Sequence, residues 1–206
     1  MKGRKMTIKS ALAATLAAVT LSACSTTPGP VEVTRFVAPE ATAQLGQGTI
    51  FVDSAPGMDG DSLSAAPYKS AVADELRRLG YTETDRASAS QIAAVSLERY
   101  VMTTEGRRSP VSVGVGGSTG TYGSGVGLGL GINLGGGERD KVGTQLGVTI
   151  RDSATSQNLW EGRADFRVAE NSPLAQSQAN AQTVAAALFS EFPGNNGETV
   201  EIEVPE

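Results

Sequence analysis

The 206-residue chain contains no histidine. That removes histidine metal sites, the serine–histidine nucleophile pair and the commonest general base. It has a single cysteine, Cys24, so no disulfide forms within the chain and no multi-thiolate metal centre is available. Aromatic residues make up 5% of the sequence, with Trp160 the only tryptophan. Basic residues are outnumbered, 17 Lys and Arg against 22 Asp and Glu, for a net charge of −5. Nucleic acids and anionic lipid surfaces both require a positive field, so neither is the expected partner of so acidic a chain. The one long apolar run, from Ala11 to Leu21, is too short for a stable membrane-spanning helix.

That run does have a layout. A basic head (Lys2, Arg4, Lys5, Lys9) precedes it, and Leu21-Ser22-Ala23-Cys24 ends it, the arrangement of a secretory signal with a small-residue cleavage site. The tetrapeptide resembles the lipobox of bacterial lipoproteins. The resemblance implies cleavage between Ala23 and Cys24, a diacylglyceryl group on the Cys24 thiol and acylation of the new α-amine. With Ser25 rather than an aspartate after the cysteine, it also implies the outer membrane, facing the periplasm. Residues 1–23 are then a signal peptide. The remainder carries 13 Lys and Arg against 22 Asp and Glu, a net charge of −9. Ser25-Thr26-Thr27-Pro28-Gly29-Pro30 reads, with Cys24, as a lipidated flexible tether over 24–30.

Residues 31–194 read as a single domain and 195–206 as an acidic tail. Val31 to Val37 alternates as a half-buried strand, and Gly48 to Val52 is a second. A helix is expected from about Leu63 to Leu79. Tyr68, Val72, Leu76 and Leu79 share one face, Pro67 sits in the first turn, and Gly80 provides a left-handed stop. Tyr81 to Thr84 and Ser90 to Met102 are strands. Val142 to Ile150 and Trp160 to Val168 alternate as an antiparallel hairpin around a turn at Asp152 to Asn158. A second helix is expected with Ser172 as N-cap, Pro173 in its first position and an apolar stripe from Leu174 to Phe192. Glu198 to Val204 reads either as an edge strand or as a frayed tail. The fold class is α+β: a two-layer sandwich of a mostly antiparallel sheet with two helices on one face and a Gly-rich hairpin insertion.

Several of these segments carry a resemblance: Glu75-Leu76-Arg77-Arg78-Leu79-Gly80-Tyr81, Ser88-Ala89-Ser90-Gln91-Ile92, Leu159-Trp160-Glu161-Gly162, Ala187-Leu188-Phe189 and Phe192-Pro193-Gly194. With the lipobox, they resemble the bacterial lipoproteins of domain-of-unknown-function family 4136. These are packing and turn motifs, and the resemblance implies an address and a fold but no activity.

The insertion, Val111 to Gly137, holds 12 of the chain's 25 glycines. Val111, Val113 and Val115 alternate on one arm, and Val126, Leu128, Leu130, Ile132 and Leu134 on the other, with glycine largely between them. It lacks the Gly-Lys-Ser/Thr ending and following helix of a phosphate loop. Its apolar positions are candidate contacts with lipid or a protein partner, the alternative being packing on the chain's own domain. Arg107-Arg108, beside Glu105, is read as a solvated strand end rather than a phosphate contact. Asp53, Asp59 and Asp61 lack the spacing of a calcium loop. Asp74, Glu75, Glu98, Glu161 and Asp165 fall on faces expected to be exposed. Lys69 and Lys141 have no serine motif around them. No catalytic residue, metal site or cofactor is therefore expected. The functional expectation is a binding or structural module of the cell envelope, held to the membrane by its N-terminal lipid, with an envelope protein or further copies as partner. An oligomeric or membrane-active protein working through the hairpin is the alternative, and a histidine-independent envelope hydrolase the second.

Overall fold

The computed structural model describes residues 28–58, 62–102 and 140–205, and the backbone alone of 111–119 and 124–132. The chain runs β1 (Val31–Val37), β2 (Thr49–Ser54), α1 (Ala66–Arg78), β3 (Thr82–Glu83), β4 (Gln91–Met102), β5 (Val111–Thr119), β6 (Ser124–Ile132), β7 (Lys141–Asp152), β8 (Asn158–Ala169), α2 (Ser177–Leu188) and β9 (Glu198–Ile202). Seven strands form one mixed sheet in the order β3-β2-β4-β7-β8-β1-β9, and β5 and β6 pair as a separate two-stranded sheet. The fold is α+β. Four of the large sheet's pairings are antiparallel. β2 runs parallel to both β3 and β4, because α1 returns the chain across the sheet before each of them.

Period-two patterning decides which face of the sheet is buried. On β7, Val142, Thr144, Leu146, Val148 and Ile150 are buried, and on β8 Trp160, Gly162, Ala164, Phe166 and Val168. α1 contacts β2 and β3, α2 contacts β1 and β8, and the two helices touch each other. Tyr68, Val72 and Leu76 form the buried stripe of α1. Gly80, at φ +106°, ends that helix, and the Tyr81 N–H donates back to the Leu76 carbonyl. A side chain at Gly80 would collide with the Gly46 carbonyl at 2.7 Å.

One expectation changes and one open alternative is decided. Ser172 does cap, accepting from the Leu174 N–H, but what it caps is a single 3-10 turn over Pro173–Ala175. The chain is extended at Gln176 before α2 starts at Ser177. Leu174, Phe189 and Phe192 therefore pack from outside the helix rather than along its stripe. Glu198–Ile202 is an edge strand on β1, so part of the segment read as a tail belongs to the sheet.

Both ends of α2 are held by arginines that rise from the sheet. Arg99 on β4 donates to the Ala175 carbonyl (2.7 Å) and the Ser177 hydroxyl (2.9 Å) at the helix entrance. Arg35 on β1, fully buried, donates to the carbonyls of Leu188 and Ser190 and to Glu198 (3.1 Å). Those carbonyls lie where α2 runs out of internal donors and its dipole is negative. Trp160 closes the same corner. Its indole stacks on Phe189 (5.4 Å), tilts against Phe192 (5.2 Å) and donates to the Pro193 carbonyl (2.9 Å). Gly162 leaves room for that ring. An added Cβ would meet the Trp160 indole and stand 2.8 Å from Leu188.

Two stability tests follow from this corner. Arg35→Met fills the space but strands the two carbonyls, and should cost about 3 kcal/mol in denaturant unfolding. Gly162→Ala should cost about 1–3 kcal/mol through overpacking, and a neutral result would refute the packing assigned to Trp160.

Candidate functional site

The acidic side chains are mostly engaged. Asp53 pairs with Arg86, Asp74 with Arg77 and Glu75 with Arg78, while Glu161 faces Arg163 at 3.9 Å. Asp165 accepts from the Gln145 amide at 3.1 Å. The Asp74 and Glu161 side chains are 43% and 45% exposed and Glu98 is exposed, whereas Glu75 and Asp165 are half-buried. Among the described residues no three His, Cys, Asp or Glu side chains converge in a way that could hold a metal. Asp59, Asp61, Glu105, Arg107 and Arg108 lie outside the described residues, as do Ala23, Cys24 and Leu134.

The register brings together something the sequence order conceals. Glu201, Glu32, Asp165, Gln145 and Glu98 lie directly opposite one another across β9, β1, β8, β7 and β4. They form an acidic row on the sheet face opposite the buried Val33, Ala164 and Leu146. Like charges placed opposite repel, and Arg167 offsets part of this. A hydrogen bond to Tyr100 pushes the pKa of that guanidinium up, with the charges of Asp165 and Glu32 adding to it.

At one end of the sheet β4 and β7, two of its three longest strands, open into the insertion. Met102 pairs with Lys141, which pairs with Ala169. Val101 and Met102, 59% and 43% exposed, mark the rim. Beyond it, β5 and β6 pair antiparallel with Val111 opposite Ile132, Val113 opposite Leu130 and Val115 opposite Leu128. The alternate pairs are Ser112–Gly131, Gly114–Gly129, Gly116–Gly127 and Ser118–Gly125. Val126 is opposite Gly117. By strand alternation the apolar positions share one face of the ribbon, and glycine and serine share the other. β1 enters the sheet from this same end. Glu32 is opposite Asp165, and with the strands antiparallel the chain before Val31 runs toward Ala169.

Two clefts flank the other elements. A groove of about 330 Å³ lies between α2 and the end of the chain, lined by Leu174, Ala187, Ile202 and Val204. A smaller one of about 170 Å³ lies between Phe36, Trp160 and Asn196, near the Arg35 corner. At that corner the Asn195 backbone N–H and side-chain amide donate to Glu198 at 2.9 and 2.8 Å, and hold its pKa below the usual glutamate value, with Arg35 adding to the effect. Gly194, at φ +74°, fits between Glu198 and Arg35, where a side chain would meet both. The sequence reading passed over Arg35 and the acidic row. The signal for Arg35 was a charge at the buried phase of Val31, Val33 and Val37.

Comparison with known proteins places these features in context. A family model described as a domain of unknown function, DUF4136, matches residues 42–194. An uncharacterised protein of Zymomonas mobilis is 33% identical over 64 residues, spanning 31% of this chain and 24% of that protein's length. Among solved structures, a PelC dodecamer from Paraburkholderia phytofirmans aligns with TM-score 0.43 and 12% identity, over 78% of this chain and 95% of that one. A PDZ domain protein from Parabacteroides distasonis aligns with TM-score 0.48 and 16% identity, over 97% of this chain and 44% of that one.

The Glu198 corner sets a pH dependence. A carboxyl whose folded pKa is depressed stabilises the fold above its unfolded value and loses that contribution as pH falls through the folded value. Glu198→Gln should therefore be less stable than the parent at neutral pH. The gap should close as pH drops below about 4.5, the ordinary glutamate value. A gap that is constant from neutral to acid would mean that the Glu198 charge plays no part.

Proposed function

The chain belongs to the DUF4136 family, and from that membership we propose that it is a non-catalytic binding or structural module of the bacterial cell envelope. It is anchored by lipid on Cys24 to the outer membrane and faces the periplasm. The observation that carries the reading is the run from Lys2 to Cys24: basic head, apolar middle, Leu21-Ser22-Ala23-Cys24 and no other thiol in the chain. Two or more acyl chains give stable anchorage where one gives marginal binding. The domain is read as a two-layer sandwich, both helices covering one face of the sheet. Contacts between the helices, and of each helix with its own half of the sheet, support that reading.

A module of this kind acts through surfaces. Paired carboxylates and the absence of histidine favour binding over acid–base chemistry. The ribbon is the surface we assign to this role, through Val111, Val113, Val115, Val126, Leu128, Leu130 and Ile132, with Leu134 following it in sequence. Its separation as a sheet of its own favours contact with something other than the chain's own domain.

The test is chemical. The N-terminal peptide of the exported protein should begin at Cys24 and carry the mass of a diacylglyceryl group and an acyl chain. In Cys24→Ser the adduct should be absent and the precursor uncleaved. An exported chain with an unmodified Cys24 would refute the anchorage.

A further inference from the structure

We propose that the β5–β6 ribbon is a membrane-spanning hairpin and that several copies of this chain close their ribbons into one transmembrane β-barrel. The inference deepens the envelope reading above and rests on it for the choice of membrane. It is argued from four observations about the backbone and the sequence placed on it.

Length comes first. β5 and β6 have nine residues each. A transmembrane strand needs about 9–11 residues. Nine residues at about 3.3 Å each extend about 30 Å, and tilted by about 40° they span about 23 Å, close to the apolar band of outer-membrane barrels at about 25 Å. The second is the register. A one-residue slip would mix the two faces, but the observed pairing sets three pairs of valine, leucine and isoleucine positions opposite one another and four pairs of glycine and serine positions, with Val126 opposite Gly117. Apolar positions on one face and small polar ones on the other make the two-sided pattern of a barrel strand, lipid outside and lumen inside.

The third observation concerns the edges. β5 and β6 form a two-stranded sheet, so each has one edge unpaired within the described sheets. In hydrocarbon every backbone N–H and C=O must be satisfied, which leaves closure as the only solution for strands. One hairpin cannot close. The strands needed to complete the circle must come from equivalent hairpins, and other copies of the chain supply them in matching length and register. The fourth is position. The ribbon leaves the large sheet at Met102 and Lys141, the end from which β1 also enters. The tether to Cys24 and the ribbon thus share one end of the domain, so both reach the same bilayer without the sheet turning over. The exposed Val101 and Met102 stand at that junction. With glycine and serine positions on the inner face, the lumen is uncharged along the ribbon and suited to neutral or weakly charged solutes.

The experiment uses the full-length lipoprotein in outer-membrane-type lipid vesicles. Single cysteines at Val113, Gly114, Val115, Gly116, Gly127, Leu128, Gly129 and Leu130 carry an environment-sensitive fluorophore. Val113→Cys, Val115→Cys, Leu128→Cys and Leu130→Cys should give blue-shifted emission quenched by lipid-borne quenchers. The four glycine positions should stay solvent-like and respond to aqueous quenchers. The detergent-extracted particle should have the mass of several chains, and the vesicles should conduct small solutes. Leu128→Asp with Leu130→Asp should abolish conductance without lowering the melting temperature of the domain. Emission without the period-two alternation, or a monomeric particle, overturns the proposal. Labelling of the parent chain tests anchorage separately: an acylated Cys24 takes no label, whereas a free Cys24 refutes the lipid anchor and leaves the ribbon pattern to be judged alone.

Discussion

A guanidinium with no exposed surface must place its donors on protein acceptors, and Arg35 places its own where the fold most needs them. The last carbonyls of α2 have no partner within the helix, and the edge strand β9 has only β1 to hold it. Arg35 satisfies the last of the first at Leu188, takes the Ser190 carbonyl in the turn that follows, and braces the second through Glu198. A neutral donor would serve one of these acceptors. A charged, planar, forked one serves three, and the charge gains from the helix dipole. Gly194 is left without a side chain beside it, and Trp160, Phe189 and Phe192 shield the corner from water. The edge of the sheet, the end of the helix and the aromatic cluster are thus one unit.

Three of the five segments that carried the family resemblance, 159–162, 187–189 and 192–194, meet at this unit. Leu159-Trp160-Glu161-Gly162 and Phe192-Pro193-Gly194 are far apart in sequence, yet the Trp160 indole donates to the Pro193 carbonyl. The sheet face opposite the buried Val33, Ala164 and Leu146 shows a different constraint. Glu201, Glu32, Asp165 and Glu98 are spread over four strands, and only the register places them in a row.

Elements governed by local chemistry were legible in the sequence. The alternation of β7 and β8 was visible because one face of each is buried. The end of α1 was visible because Gly80 and Tyr81 carry its stop within two residues. The start of α2 was misread because Ser172-Pro173 satisfies the rules for a helix cap equally well when it caps one 3-10 turn. The parallel pairing of β2 was not visible either, since strand direction in a sheet depends on where α1 packs and not on the residues of β2. The apolar alternation of the insertion could be read from residues, but the pairing of like with like required the register. Arg35 was hidden for a simpler reason: it stands at the buried phase of β1, but a charge there has no place in an apolar core until its three acceptors, far from it in the chain, are known.

The place of β1 in the sheet has a mechanical consequence. Bonded along both edges, to β8 on one side and β9 on the other, it continues directly into the segment before Val31. A pull on that segment acts along the strand axis. The hydrogen bonds of both edges then bear the load together in shear instead of parting one at a time. Arg35, keyed into the end of α2, resists the same sliding from a third direction. The chain enters its domain through the strand best built to take tension.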